Sequence, residues 1–351
     1  MATIKNILVT GGAGFIGSAF VRYMIEKYPA YTIIVLDKLT YAGNLDNLLP
    51  VHDEPTYKFE RGDIADRATV ERVIKTWEID TIVNFAAESH VDRSILDPDA
   101  FVHTDVVGTY ILLEVARALG VNRVHQVSTD EVYGSIPDGF FREGDTLEPN
   151  SPYAASKAGG ELMLRAYHVT YGLHTTVTRG SNTFGTYQYP EKVAPFFITE
   201  AIDNRPLPVY GDGLQVRDWL YVDDHASAID LVLHKGAPGE IYNVGGENER
   251  HNIDVTHMIL RLLNKPDSLI RYVTDRPGHD RRYALTCEKI RALGWERRYG
   301  ADTFETALAE TVRWYQQNEW WWRKIKTGEY LAFYQQQYGA RLSAVQKSDT
   351  P

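Results

Sequence analysis

An apolar strand, a glycine turn, a helix and a second strand ending in an acid restrict this chain more than any other feature. Ile4 to Val9 reads as a buried strand. Thr10-Gly11-Gly12-Ala13-Gly14-Phe15-Ile16-Gly17 follows, then a helical pattern through Tyr28 and a strand from Thr32 to Asp37. This is a βαβ unit of ordinary length. Gly11, Gly14 and Gly17 suit a tight turn, close approach of a pyrophosphate and close helix packing. The helix start offers free backbone N–H groups to phosphates. Asp37, 20 residues after Gly17, is placed to accept hydrogen bonds from ribose hydroxyls. A 2′-phosphate there would be repelled, so the unit favours NAD over its phosphorylated form. Lys38 softens that preference slightly. A glycine pattern alone is weak, but this strand–turn–helix–acid context makes it specific.

The alternation continues. Strands are expected at Tyr57–Glu60, Thr81–Phe85, Val121–Val127 and His174–Thr178, with helices at Arg67–Trp77, Pro98–Leu119 and Ser151–Tyr171. Alternating strands and helices imply an α/β fold: a doubly wound, parallel, Rossmann-type sheet. After Gly180 the texture changes to short segments broken by Gly, Pro, Tyr and Trp. Helices are expected at Val193–Asp203, Val222–Leu233, Val255–Leu263 and Thr303–Asn318, and Ile241–Gly245 reads as a buried strand that rejoins the sheet. The expected division is a cofactor-binding domain over 1–187, with 221–250 rejoining it. A smaller, mainly substrate-binding lobe covers 188–342, and a flexible tail 343–351.

Composition narrows the classes. At 351 residues the chain can bury a large core. A net charge of -10 argues against general binding of nucleic acid or anionic membrane. The single cysteine, Cys287, permits no internal disulfide, which suits a reducing, cytoplasmic setting, and it reads as structural. No charged-then-apolar leader opens the chain, and no apolar run approaches the ~20 residues of a membrane span.

Two further stretches carry chemistry. Val127-Ser128-Thr129-Asp130-Glu131-Val132-Tyr133-Gly134 takes an apolar strand into hydroxyls and two adjacent carboxylates. By itself that is also an ordinary polar turn. In an open α/β sheet, however, ligands bind beyond the carboxyl ends of strands. Tyr153 and Lys157, four apart on a helix, share a face. A nearby ammonium favours a phenolate and would lower the Tyr153 pKa, giving a base for a hydroxyl proton. Tyr23 and Lys27 repeat the spacing by chance and read as a solvated face.

Together TGGAGFIG, Asp37, NFAAESHVDRS (84–94), STDEVYG (128–134) and YAASK (153–157) resemble the extended short-chain dehydrogenase/reductase family over nearly the whole chain. The Thr129-Asp130-Glu131 run is similar to its nucleotide-sugar 4,6-dehydratases; related epimerases and decarboxylases lack the Asp-Glu pair. PEKVAP (190–195), QVRDWLYVDDH (215–225), DRPGHDRRYA (275–284) and NEWWW (318–322) also match. The resemblance implies a lyase acting on a nucleotide-hexose, dTDP-glucose first, with NAD as a bound catalyst. Tyr153 with Lys157 would deprotonate the C4 hydroxyl, and Thr129 would hold that oxygen. Glu131 would take the C5 proton, and protonated Asp130 would protonate the departing C6 hydroxyl. Gly11, Gly14, Phe15, Ile16, Gly17, Asp37, Lys38, Thr40, Gly43, Asp63, Ile64, Ala86, Ala87, Ser89, Thr104, Tyr153 and Lys157 would line NAD. Ser89, Thr129, Asn182, Glu191, Lys192, Val193, Pro208, Tyr210, Arg217, Asn252, Arg276 and His279 would line the nucleotide-sugar. Arg217 and Arg276 can fork onto a diphosphate. A homodimer through helices 98–119 and 151–171 is also implied.

The run Asn182-Thr183-Phe184-Gly185-Thr186 departs from the subfamily, which usually has two asparagines, a tyrosine and a proline there. Thymine and uracil differ by one methyl, worth ~1–3 kcal/mol in a pocket. Action on UDP-glucose or another nucleotide-hexose therefore stays open, as does a nucleotide-sugar 4-epimerase. His90, His103 and His279 lack metal-ligand spacing, so no metal is expected. Trp320-Trp321-Trp322 reads as packing.

Overall fold

The computed structural model describes residues 4–275, 279–339 and 341–342. Its first half is a regular alternation: β1 (Asn6–Thr10), α1 (Phe15–Lys27), β2 (Thr32–Asp37), β3 (Tyr57–Arg61), α2 (Arg67–Thr76), β4 (Thr81–Asn84), α3 (Val91–Leu96), α4 (Pro98–Phe101), α5 (Thr109–Leu119), β5 (Arg123–Thr129), α6 (Pro152–Tyr171) and β6 (Thr175–Gly180). The second half adds β7 (Asn182–Phe184), α7 (Val193–Ile202), β8 (Leu207–Tyr210), β9 (Val216–Tyr221), α8 (Val222–Lys235), β10 (Ile241–Val244), β11 (Glu249–His251), α9 (Asn252–Leu262) and β12 (Ile270–Val273). It closes with α10 (Glu288–Ala292), α11 (Phe304–Gln317), α12 (Glu319–Ile325) and α13 (Gly328–Tyr334).

Seven strands form one sheet in the order β10-β6-β5-β4-β1-β2-β3, and every pairing is parallel. The order reverses direction between β1 and β4, the switch point where α/β sheets bind ligands. Alternate side chains feed two layers. Leu8, Ile34 and Ile82 face α2, α5 and α6, whereas Ile7, Val9, Ile33, Val35 and Val83 face α1 and α8. Burial on both faces explains why these strands are continuous apolar runs.

The remaining strands are small: a three-stranded sheet β11-β9-β7 and a parallel pair β12-β8. They pack with α7, α9, α11 and α12 around a separate aromatic core that includes Phe184, Trp219, Phe304 and Tyr315. Trp321 and Trp322 are fully buried in it, and Trp321 Nε1 donates to Asn47 Oδ1 at 2.9 Å, pinning the C-terminal helices beside the glycine turn. Trp320 is exposed.

Three expectations need correction. The helix expected over 98–119 is interrupted by a π-helical turn, Val102–Gly108. Strand β5 begins and ends two residues later than expected, so Thr129 itself is its last residue. Lys27 is not on a merely solvated face. Its Nζ donates to Asp230 at 2.7 Å and to Tyr23 at 2.9 Å, clipping α1 to α8. The 343–351 tail and Arg276 lie outside the described residues.

Candidate active site

The cofactor end is built by backbone. Gly11 has φ +67, and a Cβ there would stand 2.5 Å from the Ala86 nitrogen. A Cβ at Gly17 would stand 2.4 Å from the Gly11 carbonyl oxygen. Only glycine at both places lets α1 start against the ends of β1 and β4. Gly14 precedes α1 without a side-chain cap, so the first helical N–H groups face the cleft unclaimed. That cradle fits a dinucleotide pyrophosphate. Asp37, at the end of β2, accepts from the Ala13 and Leu39 amides at 3.0 and 2.8 Å, which fixes its carboxylate. Each oxygen keeps a further lone pair for a ribose hydroxyl. Lys38 stands 3.7 Å from Asp63 and 3.8 Å from Glu88, so its charge is already balanced and does little to invite a 2′-phosphate.

The chemical end lies where β5 stops. Thr129 is extended, and its Oγ1 accepts from the Glu131 amide at 3.2 Å as the cap of a short 3₁₀ turn, Asp130–Tyr133. Gly134 closes that turn with φ +82. Asp130 is 2 % exposed. Burial first, then the charges of Glu131 and Asp218, hold its carboxyl well above the usual range, against smaller pulls from Arg217 and the Thr129 hydroxyl. These surroundings favour the protonated form of Asp130.

Helix α6 brings the second group. Ser151 caps it, accepting from Ala154 N at 3.1 Å, and Pro152 occupies its first turn, so Tyr153 enters the cleft from the helix start. The nearby Thr129 hydroxyl favours the Tyr153 phenolate. That phenol is not lowered as expected. Burial, then Glu131, Asp105 and Asp130, push it well above its ordinary value. Lys157 cannot offset them alone, because its Nζ donates to the Val127 carbonyl at 2.8 Å and burial disfavours its charge.

One continuous cleft, about 390 Å³ in volume, is lined by all the expected cofactor residues and by Ser89, Thr129, Asp130, Glu131, Asn182, Glu191, Lys192, Val193, Tyr210, Arg217, Asn252 and His279. Pro208 is the exception among described residues. It lines a small adjoining cavity with Phe196, Phe197 and Tyr338. Arg217 is stacked 4.4 Å from the Tyr283 ring and donates to the backbone carbonyls of Val216 and Asp280. Several lining residues were not expected: Asp92, Gln188, His225, Tyr283 and Tyr338. Thr183, one of the departures, also lines the cleft, and its Oγ1 meets His225 Nδ1 at 2.9 Å. Asp92 and Tyr283 sit inside matched motifs, a signal available in sequence. Tyr338 comes from the far end of the chain and carried none.

The model of the family described as GDP-mannose 4,6 dehydratase matches residues 8–310. A dTDP-glucose 4,6-dehydratase of Escherichia coli is 48% identical, the alignment covering 97% of this chain and 100% of that protein. One of Streptomyces antibioticus is 49% identical over 92% of this chain and 95% of that one. Among solved structures, the dTDP-glucose 4,6-dehydratase DesIV of Streptomyces venezuelae, solved with NAD, is 51% identical with a TM-score of 0.89, covering 92% of this chain and 100% of that one. A Thermus thermophilus UDP-glucose 4-epimerase, also in complex with NAD, shares the fold at 31% identity and a TM-score of 0.82, covering 89% and 99%. The chain belongs to the GDP-mannose 4,6-dehydratase family, within the extended short-chain dehydrogenase/reductases.

Proposed function

We propose that the chain is an NAD-dependent dTDP-glucose 4,6-dehydratase, which forms dTDP-4-keto-6-deoxyglucose and water. The observation that carries this reading is the pair Asp130-Glu131 at the end of β5, beside Tyr153. The C5 proton of a hexose is not acidic, and a ketone at C4 makes it so. The site must therefore oxidise before it eliminates. NAD, when bound, supplies the reversible hydride acceptor and ends as it began.

The protein's own groups divide the proton work. Tyr153 takes the C4 hydroxyl proton, and the Thr129 hydroxyl holds that oxygen in place. Glu131 removes the C5 proton. Asp130, kept neutral by burial and its acidic neighbours, protonates the departing C6 hydroxyl. Water leaves across C5–C6, and C5 is later reprotonated. An epimerase needs the Tyr and Lys but no such acid pair, which favours dehydration over the 31% identical epimerase's chemistry. The same test ranks dTDP-glucose against UDP-glucose. Incubated with either sugar carrying deuterium at C4, the enzyme is expected to place that deuterium at C6 of a 4-keto-6-deoxy product, and faster with dTDP-glucose. Deuterium retained at C4 of a galactose product would refute the dehydratase reading.

The cofactor half is read as 1–187 with 221–250, and the substrate half as mainly 188–342. A homodimer is supported by exposed apolar side chains on α5 and α6, among them Tyr110, Leu119, Leu162, Val169 and Tyr171. A cytoplasmic setting rests on the lone, buried Cys287, whose thiol burial pushes up to about 12.

A further inference from the structure

Asp105 is a buried carboxyl that the proton work above does not use. It is 2 % exposed and lies on the π-helical turn Val102–Gly108. Such turns often mark functional sites. This one presses hard on α6: a Cβ at Gly160 would stand 2.8 Å from the Asp105 carbonyl oxygen. Asp105 Oδ2 accepts from Ser156 Oγ at 2.6 Å, and Ser156 immediately precedes Lys157.

Lys157 needs a counter-charge. Its Nζ is buried against a neutral carbonyl, and desolvation disfavours the ammonium. Two carboxylates favour that ammonium, Asp105 first and Glu161 second. Glu161 is already claimed, however, by a two-pronged bond with Arg179, at 2.6 Å to Nη2 and 2.9 Å to Nε. The charged and titratable groups facing Asp105 are Lys157 and Tyr153 on α6 and Glu88 after β4, and Lys157 is the cation among them.

We propose that Asp105 is a positioning residue whose carboxylate keeps the buried Lys157 ammonium charged, so that Lys157 can support the Tyr153 phenolate. This rests on the base role given to Tyr153, whose phenolate Asp105 also repels directly, so the gain through Lys157 must outweigh that repulsion. Burial raises Asp105 to about 6, with Lys157 the largest opposing pull, so Asp105 is ionised at the neutral and alkaline pH where a phenolate is needed.

The test isolates oxidation, a step that does not use Asp130. Glu131→Gln is expected to stop after C4 oxidation, and its single-turnover formation of reduced NAD from dTDP-glucose is followed against pH. Adding Asp105→Asn should move the alkaline limb of that profile down by about one pH unit, a loss approaching ten-fold about one unit above the original midpoint. Asp105→Ser, smaller and neutral, should do the same and serves if the asparagine variant does not fold. Adding Ser156→Ala, which removes the hydrogen bond and leaves the charge, should leave the limb in place. A limb unmoved by both Asp105 variants in folded protein, or moved equally by Ser156→Ala, overturns the inference and spares the base assignment. If Glu131→Gln forms no reduced NAD at any pH, the base assignment fails and this inference falls with it.

Discussion

Helix α6 carries two buried ionic groups one turn apart, and they are built in opposite ways. Glu161 meets Arg179 in a two-pronged pair, both side chains nearly inaccessible, and the guanidinium stacks 4.6 Å from the Tyr133 ring. Lys157, by contrast, touches a backbone carbonyl and answers to carboxylates at longer range. Near it stand Tyr153 and Asp130, both pushed toward their neutral forms. The first arrangement is closed and balanced. The second leaves proton affinities displaced and acceptors facing a cleft. A buried pair with matched partners fastens β6 to α6; a buried group lacking one is available for chemistry.

That contrast can be broken at either side. Asp130→Asn should cost the most in function. Loss of the general acid should slow elimination ~10²–10⁴-fold, while C4 oxidation, read as reduced NAD, persists. Stability at pH 7 should not fall. A carboxyl whose folded pKa is raised stabilises the fold below its unfolded value, near 3.9, and that contribution is lost as pH rises through the folded value. At pH 7 the asparagine therefore removes a burden. A large stability loss would mean Asp130 is structural. Arg179→Ala should do the reverse, costing ~3–5 kcal/mol in urea unfolding because Glu161 is left buried and unpaired, with turnover per folded molecule little changed. A cost near zero would erase the distinction between the two groups.

The effect that is smallest at neutral pH concerns acid stability. His125 is fully buried with both ring nitrogens on threonine hydroxyls, Thr176 and Thr178, and burial holds it down to about 3. The unfolded chain takes up this proton near pH 6.5, whereas the native state does not until about pH 3. Its contribution is thus present above 6.5 and is lost as pH falls through that window, by up to ~1.4 kcal/mol per pH unit. His125→Gln should flatten the acid side of the stability profile. An unchanged slope would show that His125 protonates in the native state.

The Rossmann half was legible because its signals are local. Periodicity, the Gly11–Gly17 spacing and Asp37 each act within one βαβ unit, and the strand-end residues follow from where β5 stops. The half after Gly180 was less so. Strands β7, β11 and β12 are three or four residues long and gave no period to read. Pro208 reached an adjoining cavity, and Tyr338 entered the cleft from near the C-terminus.

The sequence by itself determined the sheet, the dinucleotide cradle and the acids, hydroxyls and phenol that could do the chemistry, because local backbone preference and residue type decide those. Only the tertiary structure decided which way each proton affinity is pushed. The state of Asp130 depends on Asp218 and Arg217 from β9, and that of Tyr153 on Asp105 from a turn some fifty residues earlier. Desolvation and Coulomb forces act through space, so proton affinities are set by neighbours that the linear order does not show.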